Sequence, residues 1–253
     1  MNEVTLPKTG GTAIPEILGP EHLPEVLQLQ EETRAALPDG QKMFVLPQEP
    51  AYFEKLLSRE AGLILGLRAS GRLVAQIVLM GPMTLDEAID KNAITRSDVT
   101  FHHAAPSESV IIAKSMAVHP EWRGNELAQH LLHTALSQPS TRIADHVFAQ
   151  ISVENTRSWE LFLRNGFGIV AAALDPVDGK PRFVLQKPAL DFSLHGIASV
   201  DDVDPLADFP AVMRLTQREA LIGRIDIGPA STLDFHARTE MAASWYDTTA
   251  AGA

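Results

Sequence analysis

Arg123-Gly124-Asn125 stands between two stretches of different periodicity. Before it, Val110-Ile111-Ile112-Ala113 runs on to Met116-Ala117-Val118 as an apolar strand. Pro120 closes that strand, since proline has no N–H to give to a ladder. After it, leucines or alanines at positions 127, 131, 132, 135 and 136 form one apolar helix face. A glycine turn leading into a helix leaves backbone N–H groups exposed, and the positive end of the helix dipole adds to them. Such a turn can bind an anion, typically a phosphate.

The elements that must position this turn can be read in order. Residues 1–12 are polar, contain Gly10-Gly11, and read as a loose leader. Ile14 to Leu18 reads as a first strand. A helix from Pro20 to Leu37 ends at Pro38-Asp39-Gly40, and a second from Pro50 to Ala61 carries Tyr52, Phe53, Leu56 and Leu57 on one face. Leu63–Leu67 and Leu73–Met80 flank Ser70-Gly71 as a β-hairpin. Residues 82–107 form a long connection containing Thr84-Leu-Asp-Glu87, the signature of a capping box. Beyond the central helix come a strand over Val147–Val153, a helix over Asn155–Gly166, and a closing hairpin of Phe167–Leu174 and Arg182–Leu185 around Asp175–Gly179.

Two segments of this order carry a family resemblance. The turn Arg123 to Ala128 resembles the Q/R-x-x-G-x-G/A motif that follows a Val-x-Pro strand end in the GNAT superfamily of N-acetyltransferases, with Glu126 where the family prefers glycine. Asn155-Thr-Arg-Ser158-Trp-Glu-Leu161-Phe162, running on to Gly166-Phe167, resembles the family's N-x-x-A/S-x-x-L-Y-x-x-x-G-F. The resemblance implies an α/β (α+β) fold over residues 12–188: a mixed, mostly antiparallel central sheet flanked by helices. It implies transfer of an acetyl group from acetyl-CoA, the co-substrate, to an amine of a small molecule or protein, without a covalent enzyme intermediate. Arg123, Gly124, Asn125, Glu126, Leu127 and Ala128 would cradle the diphosphate. Met116, Ala117 and Val118 would pair through their backbone with the pantetheine amides, as a sheet edge does. Asn155, Ser158 and Phe162 would complete the cofactor site. Asparagine is also a good N-cap, and the two roles are compatible.

The acid and the base are where the chain departs from the family. Many members use a tyrosine at the position of Phe162 to protonate the departing thiolate, and phenylalanine has no proton to give. Tyr52 is the substitute to weigh, with helix packing as the other reading. Members often place an acidic base on the fourth strand, where this chain has Lys114 and Ser115. Glu108 at the start of that strand, Ser115 within it, and His102 and His103 before it are the candidates, the histidines because their pKa suits neutral pH. A carboxylate at 126 about 6 Å from a diphosphate costs on the order of 1–3 kcal/mol at near-surface dielectrics, so CoA binding is expected to be weakened. A reading without turnover, a GNAT-fold CoA-binding or regulatory domain, stays open beside the enzyme.

Composition narrows the alternatives. The 253 residues are 45% hydrophobic, enough for a sizeable core, and carry a net charge of −11. That balance argues against nucleic acid as the partner, because phosphate backbones attract basic surfaces. The absence of cysteine excludes disulfides, thiolate metal sites and a cysteine nucleophile. No 18-residue apolar run and no charged-then-apolar leader appear, so the expectation is a cytoplasmic protein with no membrane partner. His130 and His133, three residues apart on a helix, lack a third ligand in reach, so no metal is expected. Residues 189–253 carry no lysine and ten acidic residues against four arginines. They read as a mostly helical extension, with helices over Pro210–Leu221 and Leu233–Trp245, serving as an appendage, a lid or a homodimer element.

Overall fold

The computed structural model describes residues 3–91, 93–94, 107–174, 181–188, 223–228, 231–236 and 242–247. They fall into two compact units: residues 1–83 with 111–144, and residues 84–110 with 145–253.

In the first unit, β1 (Val4–Thr5), β2 (Thr12–Ile17), β3 (Gly62–Ala69), β4 (Arg72–Thr84) and β5 (Ser109–Val118) lie side by side in that order. The β1–β2, β2–β3 and β3–β4 pairs are antiparallel. Ser70 and Gly71, both at positive φ, make the two-residue turn between β3 and β4, whose twist matches that of the strands it joins. Ile64, Leu65, Leu67, Val74, Ala75, Ile77 and Val78 are fully buried, which explains why β3 and β4 read as apolar runs and not as alternations. The helices α1 (Leu23–Ala35) and α2 (Pro50–Leu57) set Val26, Leu29, Phe53, Leu56 and Leu57 into one cluster with Leu18, Ile64, Val78 and Ala117. Each large side chain buried there contributes roughly 1.5–3 kcal/mol. α4 (Leu127–Leu136) buries Leu127, Leu131, Leu132 and Ala135, the face its spacing predicts. A short helix, α5 (Pro139–Ile143), follows it.

The leader is not loose. Val4 and Leu6 are 6% and 2% exposed, and β1 pairs with β2 through Val4–Ala13 and Thr5–Thr12. Gly10 and Gly11, both at positive φ, turn the chain back, and the Leu6 N–H donates to the Gly11 carbonyl. Residues 4–17 therefore form a hairpin.

In the second unit, α3 (Leu85–Asp90) begins at the expected capping box, with Thr84 Oγ1 accepting from the Glu87 N–H and Glu87 Oε2 accepting from the Thr84 N–H. β6 (His146–Ser152) pairs antiparallel with β8 (Pro181–Pro188), and β8 with β7 (Gly168–Leu174). Between β6 and β7 runs α6 (Thr156–Arg164), anchored by Trp159. The Trp159 indole is fully buried, donates to the Val153 carbonyl at 3.0 Å and meets Phe183 edge-on. The turn read at Asp175–Gly179 lies outside the described residues.

The helix expected over Leu233–Trp245 is instead β-structure. β9 (Gly223–Gly228), β10 (Ser231–His236) and β11 (Ala242–Asp247) form a separate antiparallel sheet in the order β11-β10-β9. The reason is local: Ile225 and Ile227, Leu233 and Phe235, and Ala243 and Trp245 alternate with polar or small residues at a period of two. The expected helix over Pro210–Leu221 lies outside the described residues, as do His102 and His103.

Candidate functional site

Two features of β5 set up the site. Ser115 has φ 50°, a left-handed residue inside a strand, which is the backbone signature of a bulge and costs about 1–2 kcal/mol for an L-residue. Met116 and Val118 follow it half-buried, with Ala117 buried between them against the α1–α2 cluster. Tyr52, on α2, brings its phenol to Ser115, with which it is hydrogen-bonded, and reaches Met80 Sδ at 3.7 Å. Burial pushes the phenol up to about 12, while the Ser115 hydrogen bond pulls the other way. Tyr52 therefore stays protonated through the neutral range.

Past Val118 the chain makes a 3₁₀ turn over Pro120–Trp122 and then the turn proper. His119, 6% exposed, anchors the approach. Its backbone N–H donates to the Val74 carbonyl, its Nδ1 accepts from the Glu121 N–H, and its Nε2 lies 3.3 Å from Glu32 and 3.0 Å from Arg72. A hydrogen bond from Gln28 and then Arg72 hold the Glu32 carboxyl below its usual range. Gly124 sits at φ +89°, and Glu126 is the N-cap of α4 in the left-handed region, φ 58° and ψ 18°. No side chain caps α4. A helix leaves its first N–H groups without partners inside the helix, here those of Leu127 and Ala128. The turn presents these donors at the positive end of the helix dipole. Glycine suits position 126 because of this conformation, not because of the interior of the helix, and the left-handed glutamate is strained where glycine is not.

Asn125 is fully buried, and its side chain is a tie between the turn and the N-terminal hairpin. Its Oδ1 accepts from the backbone N–H groups of Lys8 and Thr9 at 2.8 and 3.1 Å, and its Nδ2 donates to the Trp122 carbonyl at 3.1 Å. Lys8 Nζ donates to the Arg123 carbonyl at 3.0 Å. Beside the turn, a groove of about 670 Å³ runs between β1 and α4, lined among others by Glu3, Thr5, Glu126, His130 and His133. Among the described residues no group of three or more His, Asp or Glu side chains is placed to hold a metal ion.

In the second unit, Asn155 stands at the N-cap of α6 but makes no side-chain capping bond. Its carbonyl accepts from the Ser158 and Trp159 N–H groups, which leaves the carboxamide without the capping role that its residue type suggests. Ser158 is half-buried on the first turn. The Phe162 ring, 3% exposed, packs edge-on against Phe167 at 4.9 Å. Glu108 Oε2 lies 2.9 Å from His146 Nε2, and the other ring nitrogen of His146 lies 2.8 Å from Gln186 Nε2.

Sequence reasoning missed Lys8 and His119. Gly10-Gly11 flanked by Val4, Leu6, Ala13 and Ile14 is a hairpin signal and would have found the first. Nothing in the sequence singles out His119, whose partners come from α1 and β4.

A strand, a glycine-containing turn and a helix with no side-chain cap, followed later in the chain by strand, helix and strand, define an α/β protein with a candidate anion site at a helix N-terminus. Residues 26–167 match the model of the acetyltransferase (GNAT) family, and the chain belongs to that family. It is an acetyl-CoA-dependent N-acetyltransferase. No functionally curated protein is similar enough in sequence to count as a relative. Solved structures share the fold at low identity. A GNAT-family acetyltransferase from Streptococcus agalactiae is 16% identical with a TM-score of 0.53, over 70% of this chain and 95% of that one. Arabidopsis thaliana NAA60 in complex with acetyl-CoA is 14% identical with a TM-score of 0.51, over 70% and 98%. The diaminobutyrate acetyltransferase EctA of Paenibacillus lautus, with L-2,4-diaminobutyric acid and coenzyme A, is 16% identical with a TM-score of 0.50, over 73% and 99%.

Proposed function

We propose that the acetyl group of acetyl-CoA passes by direct attack to an amine of a small molecule or protein, with the cofactor held along β5 and over the turn that follows it. The observation that carries this is the α4 N-terminus: no side chain caps it, and Gly124 and Glu126 both take left-handed conformations before it, which leaves its first amides to an anion. Residues 123–128 hold the diphosphate there. The backbone of Met116, Ala117 and Val118 pairs with the pantetheine amides, beginning at the break that Ser115 puts in the strand. In the second unit, Asn155, whose carboxamide makes no capping bond, Ser158 and Phe162 are the residues assigned to the cofactor.

Bound acetyl-CoA supplies a thioester carbon to attack and a thiolate to protonate. Phe162 gives no proton, so that donation falls to Tyr52, a phenol beside Ser115 that keeps its proton at neutral pH. Ser115 orients the phenol. Glu108, 2.9 Å from His146 Nε2, is the candidate base. The net charge of −11 favours a cationic acceptor. We further take the protein to be cytoplasmic, to use no metal, to need no nucleic acid or membrane partner, and to consist of a catalytic domain over 12–188 with 189–253 as a lid, appendage or homodimer element.

The test is release of free CoA thiol from acetyl-CoA in the presence of an amine panel, with a thermal melt in acetyl-CoA alongside. Binding to the native state alone raises the melting temperature by mass action. No shift at millimolar acetyl-CoA would sink the cofactor assignment. A shift with no thiol release from any amine favours the second reading, a CoA-binding or regulatory domain. That reading draws on the buried, proton-free Phe162.

A further inference from the structure

The diphosphate cradle has an unfavourable charge of its own. Glu126 stands at the N-cap, where an anion would sit, and Arg123 is the one basic residue between Pro120 and Leu136 apart from histidines. A second cation comes from 115 residues away in sequence. Lys8 lies in the turn of the N-terminal hairpin, and its Nζ donates to the Arg123 carbonyl at 3.0 Å. The stem of Lys8 lies across Gly124, where an added Cβ would be 3.1 Å from Lys8 Cδ and 3.7 Å from Nζ. An ammonium has three donors, so the bond to Arg123 leaves two for an acceptor resting on the same peptide.

The way Lys8 is held strengthens the case. The two backbone bonds from Lys8 and Thr9 to the buried Asn125 fix the hairpin turn without using the lysine side chain. The ammonium is thus placed by the fold, not by a carboxylate partner. It is directed at the Arg123 carbonyl, three residues before the N-cap of α4. A lysine tied to a carboxylate would bring no net charge to the turn, whereas this one brings a full positive charge to Arg123 and Gly124.

We propose that Lys8 is a phosphate-binding residue of the acetyl-CoA site, offsetting Glu126 and making the N-terminal hairpin part of the cofactor pocket. This rests on the reading that residues 123–128 cradle the diphosphate.

The test compares the dissociation constants of CoA and of pantetheine, which lacks the diphosphate, by calorimetry on the wild type, Lys8→Gln and Lys8→Arg. For a solvent-accessible charge-assisted contact the expected loss with Lys8→Gln is about 3- to 10-fold for CoA, with pantetheine unchanged and Lys8→Arg close to wild type. Raising the salt should narrow the gap between wild type and Lys8→Gln, because exposed charges are screened. The melting temperature of Lys8→Gln should hold, since the bonds to Asn125 come from the backbone. If the wild type prefers CoA over pantetheine and Lys8→Gln keeps that preference in full, the Lys8 proposal falls while the cradle stands. Equal losses for both ligands also overturn it, by making Lys8 structural. If the wild type shows no preference for CoA over pantetheine, the cradle falls and Lys8 with it.

Discussion

Asn125 Oδ1 holds the backbone N–H of Lys8 at 2.8 Å and that of Thr9 at 3.1 Å, from a position with no solvent exposure. Replacing Asn125 with alanine strands two backbone donors and the Trp122 carbonyl. Lys8 and Thr9 are exposed and these bonds are part-buried, so Asn125→Ala should lose about 1–3 kcal/mol in a urea melt. Hydrogen exchange at the Lys8 and Thr9 amides should accelerate well before exchange in β3. Unchanged exchange at those two amides would show that β1 docks without the tie.

Glu126→Gly should improve two properties at once. At an N-cap in the left-handed region, glycine removes strain of about 1 kcal/mol, so the variant should melt higher and not lower. It also removes a carboxylate from the turn. From the roughly 1–3 kcal/mol expected for that charge, CoA should bind several-fold to about a hundredfold tighter. Pantetheine should show no such gain. A higher melting point with unaltered CoA affinity would mean that the anion sits elsewhere.

The Tyr52 phenol gives stability a defined alkaline limit. Its folded pKa is about 12 against an ordinary value of 10.0, so the folded state favours the protonated form. That contribution is complete below pH 10 and is lost as pH rises from 10 through 12. At about 1.36 kcal/mol per unit it is on the order of 2–3 kcal/mol. In Tyr52→Phe the stability curve should be flatter across that window. If Tyr52 is also the proton donor, the same variant should slow thiol release at neutral pH while CoA affinity holds.

Gln76 presents the opposite case. It is fully buried on β4, and neither polar atom of its side chain finds a partner among the described residues. Methionine is nearly the same length and needs no hydrogen bond, so Gln76→Met should be neutral or stabilising by up to about 1–3 kcal/mol. A clear loss in a denaturant melt would reveal a partner for the amide.

Deleting residues 189–253 should leave a soluble chain that still binds CoA but uses its acceptors differently, because both motif segments precede Pro188. Mass and circular dichroism of the truncated protein, with the amine panel, check this. An unfolded product would make β9–β11 part of the structural core.

How much of this was legible follows the range of the interactions. The β3–β4 hairpin, the capping box at Thr84 and the apolar face of α4 are set by local pattern, and each stands where the sequence put it. The tail reading failed at Leu233–Trp245 because a two-residue alternation was passed over for a helix. The loose leader failed for a similar reason, since Gly10-Gly11 turns one strand into two. The site divides in the same way. The turn is readable because its residues are consecutive. The meeting of Tyr52 with Ser115, of Lys8 with Arg123 and of Glu108 with His146 depends on packing between distant segments, which no spacing rule encodes.

The tie between Lys8 and Asn125 spans 117 positions, and on a ribosome that separation becomes a delay. At roughly 5–20 residues per second, Asn125 is made about 6–23 s after Lys8. Until then the first strand has its hairpin partner but no anchor, and closing so large a loop is slow compared with local pairing. The hairpin is synthesised well before the residue that secures it. During synthesis its exposed edge is where a chaperone, a protease or a second nascent chain would meet this protein.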